Sequence, residues 1–315
     1  MKNFLIFRTD RIGDFLVTSS IFSSIKRNFK DCKIDIVCSE KNYEFVNSFN
    51  FFNNVFLYPK NIFKKISLFT SLIKYDYILV TDGKKRSIYF SIFKFCKKKI
   101  LFTPSEGIKN IFKFFFNKTY LIKYDTPKIN IIKNFLNDIN CDFINSDINF
   151  LLNYDNLGSV TKNTINEKYI ILNFDEKWIF GDYIDNYENI EPKQSEFNDF
   201  INKLSKKRLI VIVNGFNKNS ILEKLNIFNK GKVIVKNNIN IFEFQSLIKH
   251  SESLITCHGA PSHIASSYNV KVIDIIDKSE REFFESYNYH FPKKIQLFRE
   301  NFIHLSKKIL ESVDI

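Results

Sequence analysis

The chain has 315 residues, of which 44% are apolar and 16% aromatic, and a formal charge of +13. That is enough apolar material for a sizeable core, so disorder is excluded as the dominant state, and the length suits two domains better than one. Five cysteines (Cys32, Cys38, Cys96, Cys141 and Cys257) form no C-x-x-C pair, which argues against a disulfide framework and a zinc site and for a reducing compartment.

The opening "MKNFLIFRTDRIGD" breaks its apolar run at Arg8, so no signal peptide is expected. No stretch of about 18 apolar residues is present to span a membrane. "NFLIF" (3–7) reads as a buried strand. "DFLVTSSIFSSIKRNF" (14–29) reads as a helix with Phe15, Thr18, Ile21, Phe22 and Ile25 on one face, and "KIDIVCS" (33–39) as a second strand. This βαβ unit implies parallel strands joined by a right-handed crossover. More strands are expected at "VFLYP" (55–59), "YDYILVTD" (75–82) and "KKILF" (98–102). Residues 150–168 lack apolar periodicity and hold Gly, Asn, Ser and Thr, which divides the chain into domains 1–158 and 159–315. The pattern restarts with strands at 169–174, 208–215, 232–237, 253–257 and 271–276. Helices at 196–207 and 241–250 lie between them, and a last helix over about 293–312 is free to pack back on the first domain. The expected fold is α/β: two Rossmann-like, doubly wound parallel-sheet domains with an interdomain cleft, ligands binding at the carboxyl ends of the strands.

Charge is uneven. Residues 60–123 hold 15 Lys or Arg against Asp76, Asp82 and Glu106, and the rest of the chain is nearly neutral. Within 84–123 the basic residues interleave with Phe and Tyr, as in "YFSIFKFCKKKILF". Such a segment attracts a polyanion or an anionic lipid surface, or is a solvated face of a lysine-rich protein. A nucleic-acid-binding protein is the weaker alternative: seven of the 47 basic residues are Arg, and no recognised motif accompanies them.

All eight glycines are isolated, so there is no G-x-G-x-x-G and no P-loop, and no D-x-D pair offers a divalent metal a diphosphate site. A nucleotide diphosphate would have to be held without metal, by helix N-termini and basic side chains. "SLITCHGAPSHIASSYN" (253–269) is such a strand, turn and helix, with Gly259 and Ala260 keeping the turn small and Pro261 suited to the first helical turn. His258 and His263 flank it as hydrogen-bonding candidates, although His263 could instead pack against its own sheet. Lys177 follows the strand at 169–174, as a cleft residue or an ordinary exposed lysine. In "RTDRIGDFLVTSS" (8–20), Gly13 permits a close turn. Asp14 is either an N-cap worth about 1 kcal/mol or a general base for an acceptor hydroxyl. Arg8 and Arg11 would orient an anionic acceptor and keep Asp14 ionised. Spacing alone leaves both readings open.

"RTDRIGDFLVTSSIFSSIK" resembles the N-terminal signature of glycosyltransferase family 9, the lipopolysaccharide heptosyltransferases. "SLITCHGAPSHIASSYNVKVIDI" resembles that family's second signature, and "YDYILVTDGKKRS" its mid-domain segment. The resemblance implies a GT-B fold with acceptor bound in the first domain and sugar nucleotide in the second. It implies inverting, metal-independent transfer without a cofactor, by a cytoplasmic protein peripheral on the inner face of the bacterial inner membrane. Asp14 falls on the catalytic base. Lys177, His258, Gly259, Ala260, Ser262 and His263 fall on the donor site, and Arg8, Arg11, Gly13 and Thr18 on the acceptor side. The partners implied are a nucleotide-diphosphate sugar, an anionic glycolipid or surface polysaccharide, and an anionic membrane surface met by segment 84–123. The sequence departs from the pattern at His258 (usually Asp), Ala260 (usually Gly) and Ser19–Ser20 (often Pro). "KSEREFFESYNYHF" stands in place of a Gly-Pro-Thr turn, which points to a rebuilt donor pocket there. A non-catalytic relative that binds a nucleotide or glycan is the alternative these departures leave open.

Overall fold

The continuous apolar runs become strands buried on both faces, as a parallel sheet with helices on either side requires. The computed structural model describes residues 1–72, 74–123, 125–179, 186–215 and 220–313. It divides the chain into two units, Met1–Asn156 with Glu285–Tyr289, and Leu157–Phe284 with His290–Ile315.

The first unit holds β1 (Asn3–Arg8), β2 (Lys33–Cys38), β3 (Asn54–Leu57), β4 (Tyr75–Val80), β5 (Cys96–Thr103) and β6 (Lys118–Leu121). They pair in parallel in the order β3-β2-β1-β4-β5-β6. The second unit holds β7 (Tyr169–Phe174), β8 (Leu209–Asn214), β9 (Val233–Lys236), β10 (Ser253–Cys257), β11 (Lys271–Ile276) and β12 (Lys294–Phe298). Their order, β12-β11-β10-β7-β8-β9, is the same topology counted from β7, again all parallel. This is the Rossmann order, and it creates one switch point per sheet, between β1 and β4 and between β7 and β10.

Two strands differ from the expectation. β6 ("KTYL") was not anticipated, and β12 ("KIQLF") occupies what was read as the start of the last helix. Both are edge strands, half wetted and interrupted by polar residues, so neither carries the apolar run that marks a central strand. The last helix is shorter, Phe302–Val313. Its Phe302, Leu305 and Ile309 are buried in the core of the second unit, with Trp178, Phe197 and Phe200. The piece of late chain that belongs to the first unit is Glu285–Tyr289. There the Tyr289 hydroxyl donates to the Val17 carbonyl (2.6 Å) and lies 3.2 Å from Ser20 Oγ.

The helix Ile12–Asn28 is buried along most of its length, not on one face alone. Its apolar side meets a phenylalanine cluster in which Phe15 contacts Phe45, Phe49, Phe52 and Phe150. Two of its buried serines are satisfied locally or across the unit: Ser19 donates to the Leu16 carbonyl, and Ser24 to Asp147.

Candidate functional site

At the first switch point β1 ends in Arg8, which is 2% exposed. Its guanidinium lies 3.0 Å from Asp10 and 3.5 Å from Asp14, and donates to the Thr81 carbonyl just beyond β4. Burial would lower the Arg8 pKa; Asp10, Asp14 and Asp82 more than offset it, so the cation is secure. Burial pushes Asp10 up to about 6, against the pull of Arg8. Asp82 builds the neighbouring loop, accepting from the Thr9 amide (3.0 Å), the Thr9 hydroxyl (2.6 Å) and the Ser87 hydroxyl (2.7 Å). Gly83 has φ +60, and a Cβ there would sit 3.0 Å from the Phe102 carbonyl oxygen, so glycine is required.

Asp14 is not the N-cap. The helix starts at Ile12, Asp14 stands in its first turn, and its carboxylate accepts from the Arg11 amide at 3.3 Å. The side chain remains 39% exposed, at the rim of a cavity of about 1010 Å³ inside the first unit. Seven Lys or Arg line that cavity, among them Arg11, Lys65, Lys84 and Arg86, against the three acids Asp10, Asp14 and Glu40. Of the four residues expected to meet an acceptor, only Arg11 does line it. Arg8, Gly13 and Thr18 are buried, and the Thr18 hydroxyl turns back to the carbonyls of Asp14 and Phe15. Arg8 can therefore act on Asp14 from behind but does not reach a ligand in the cavity. Gly13 lies inside the helix, not in a preceding turn.

Lys128 joins this cluster without any local sequence signal. It is 3% exposed, with its ammonium 4.2 Å from the Tyr287 ring centroid and no hydrogen-bond or ion-pair partner among the described residues. Burial and the Arg8 charge push its pKa down to about 7, opposed by Asp14 and Asp10.

At the second switch point, β7 leads to Asp175 and Lys177, and β10 leads to His258. Lys177 Nζ donates to the His258 carbonyl (3.1 Å) and lies 3.5 Å from Asp175. A Cβ on Gly259 would come within 2.4 Å of that Nζ, so the missing side chain is the space the ammonium occupies. The carboxylate of Asp274, on β11, is fully buried and accepts from Ser262 Oγ and from His258 Nδ1, both at 2.8 Å. A carboxylate accepts, so His258 carries its proton on Nδ1. Ser262 in turn lies 3.3 Å from the Gly259 amide, at the start of the helix Ala260–Ser267 with Pro261 in its first turn. His263 is buried and its Nδ1 is 3.0 Å from His290 Nε2, the two rings stacked. Phe284 packs at a tilt against His258, ring centroids 4.3 Å apart, and Phe291 flanks both histidines. The stretch "KSEREFFESYNYHF" thus supplies the walls of this turn.

Arg299, just past β12 and 4% exposed, donates to the Lys177 carbonyl through both terminal nitrogens (3.0 and 3.1 Å) and to the Glu188 carbonyl (2.8 Å). It holds the backbone of Lys177. Sequence reasoning missed Asp274, His290 and Arg299. Asp274 alone left a trace, a carboxylate inside the apolar run "KVIDII", which must be hydrogen-bonded once buried. No group of three or more His, Cys, Asp or Glu able to hold a metal ion occurs among the described residues.

The sequence matches no protein-family model and no curated protein. Solved structures do match. E. coli heptosyltransferase WaaC with ADP is 12% identical, with 98% of this chain and 99% of that chain covered and a TM-score of 0.71. E. coli ADP-heptose lps heptosyltransferase II is 12% identical, with 100% and 98% covered and a TM-score of 0.71. A glycosyl transferase family 9 protein from Veillonella parvula DSM 2008 is 14% identical, with 99% and 89% covered and a TM-score of 0.69. At these identities the likeness establishes the fold, and the fold is of GT-B type: two Rossmann-like, doubly wound units similar to those of the family 9 heptosyltransferases that the N-terminal motif resembles.

Proposed function

We propose that the protein is an inverting glycosyltransferase, moving a sugar from a nucleotide-diphosphate sugar to a hydroxyl of an anionic glycolipid or surface polysaccharide, with heptose and a lipopolysaccharide acceptor as the first candidates. The observation that carries the proposal is Asp14, a half-exposed carboxylate beside a switch point, held by buried Arg8 at the rim of a basic cavity. Its positive surplus suits an acceptor bearing phosphates or carboxylates.

In this reading Asp14 takes the acceptor hydroxyl proton as the oxygen attacks the anomeric carbon. The bond from that carbon to the diphosphate breaks on the opposite face, the leaving oxygen keeps the electron pair, and configuration inverts. Lys177 and the first amides of the helix Ala260–Ser267 receive the charge that develops on the leaving diphosphate, and Nε2 of His258 adds a hydrogen-bonding atom there. Lys177 supplies the positive charge that a metal ion would otherwise bring, so the reaction proceeds without one. The fold likeness to heptosyltransferases solved with ADP and with ADP-2-deoxy-2-fluoro heptose supports a nucleotide-sugar donor. The protein works as a peripheral enzyme on the cytoplasmic face of the bacterial inner membrane, with segment 84–123 toward anionic lipid.

The test is thermal-shift screening with nucleotide sugars, then transfer from the donor found, in the wild type and Asp14→Asn. Loss of transfer with donor binding kept is the expected result. Undiminished transfer by Asp14→Asn would remove the base, and donor binding without any turnover in the wild type would leave a binding protein.

A further inference from the structure

Three helices follow β3, β4 and β5: Ile62–Ser71, Lys85–Ile92 and Glu106–Phe112. Right-handed crossovers in this strand order put all three on one side of the first sheet. Their inner residues agree, since Leu68, Leu72, Ile88, Phe90 and Phe112 share one core cluster. They are also joined side to side: Phe69 meets Phe90 at 5.3 Å, and Tyr89 meets Phe112 at 5.6 Å. Their outer residues are not what a solvated face requires. Phe95 is 98% exposed, Phe114 85%, Phe63 75% and Phe93 69%, with Ile66 and Ile111 also bare. Single exposed apolar residues are ordinary, but six large ones on one layer of helices are a patch.

We propose that this three-helix face is a docking surface for an anionic lipid bilayer, with the turns at 93–95 and 113–115 entering the headgroup layer phenylalanine first. Charge selects the occupant. Lys64 and Lys113 are exposed beside Phe63 and Phe114 and make no ion pair among the described residues. A second copy of this chain would set those lysines against their own kind, whereas anionic headgroups complement them. The turns are anchored, not loose: Lys94 donates to the Leu72 carbonyl (2.7 Å) and lies 3.7 Å over the Phe69 ring, fixing Phe93 and Phe95 against the neighbouring helix. The face also continues into the basic cavity. Lys65 of the first helix and Lys85 and Arg86 of the second line that cavity, so a lipid-borne acceptor would reach Asp14 along the membrane plane. The inference rests on the glycolipid reading of the acceptor and adds the surface that meets the lipid.

Vesicle binding tests it without any sugar transfer. The full chain is sedimented with vesicles of phosphatidylcholine alone and of phosphatidylcholine mixed equally with phosphatidylglycerol. Binding to the mixed vesicles only is expected, falling about tenfold or more in the triple variant F93S, F95S, F114S and about tenfold in the double variant K64Q, K113Q. Both variants should keep the wild-type melting temperature. A folded wild type that ignores the mixed vesicles, or a triple phenylalanine variant that binds as before, overturns the proposal. So does a dimer in solution that the same variant dissociates, or binding to plain RNA in preference to the vesicles. Vesicle binding with no transfer from any nucleotide sugar would leave the docking surface standing and remove the glycosyltransferase reading.

Discussion

The two switch points share a topology and differ in chemistry. At the end of β1 a buried arginine, two carboxylates and a buried lysine stand together beside a cationic cavity. At the end of β10 the polar groups are chained by hydrogen bonds, from the Gly259 amide through Ser262 to Asp274 and back to His258, with Lys177 laid across the turn. Topology therefore sets where a ligand is received, and the side chains set what is done to it. In the proposed reading the first site holds and shifts protons and the second receives negative charge through positioned donors.

Perturbing each site in turn sharpens that contrast. The largest effect belongs to Asp14→Asn, expected to lower transfer by about 10²–10⁴-fold while leaving nucleotide affinity intact in a titration. Gly259→Ala attacks the other site without touching a charge: the new methyl displaces the Lys177 ammonium. Nucleotide affinity should drop by about 10–100-fold, as for loss of a charge-assisted hydrogen bond, with little change in melting temperature. An equal effect on acceptor binding would break the division of labour.

Arg299→Met leaves the Lys177 and Glu188 carbonyls without their buried donor. A stability loss of about 2–4 kcal/mol in urea, with a raised KM for the donor, is expected. Lys128→Met should act in the opposite sense. A lysine held down to about 7 binds fewer protons folded than unfolded, so it costs stability fully below pH 7 and ceases to do so as pH rises toward its ordinary value. The variant should melt higher than the wild type at pH 6 and converge with it near pH 10; a lower melting point at pH 6 would mean that the ammonium is paired in solution. The smallest effect is Tyr289→Phe, about 1 kcal/mol for the lost hydrogen bond to the Val17 carbonyl, read from thermal unfolding.

Much of this fold was legible because it is local. "NFLIF", "YIILNF" and "SLITC" announce buried parallel strands in any context, and the helix 241–250 ends where its periodicity ends. β6 and β12 were hidden because an edge strand needs apolar residues on part of its surface only. The places where the chain leaves β1, β7 and β10 were legible, and Asp14, Lys177 and Gly259 lie just beyond them. Arg8, Gly13 and Thr18, expected on the acceptor side, are buried, because sequence proximity to the turn says nothing about which side chains the packed helix buries. Lys128, Asp274, His290 and Arg299 arrive from distant segments, with no spacing to announce them.

What the amino-acid order determined by itself is the type and succession of the elements, since apolar periodicity acts over a few neighbouring residues. Only the tertiary structure decided which polar groups meet. Lys177 and His258 are 81 positions apart and touch because β7 and β10 pair in register, Leu254 against Ile171. A hydrogen bond acts over about 3 Å, so it can be read only after the sheet has brought its partners together.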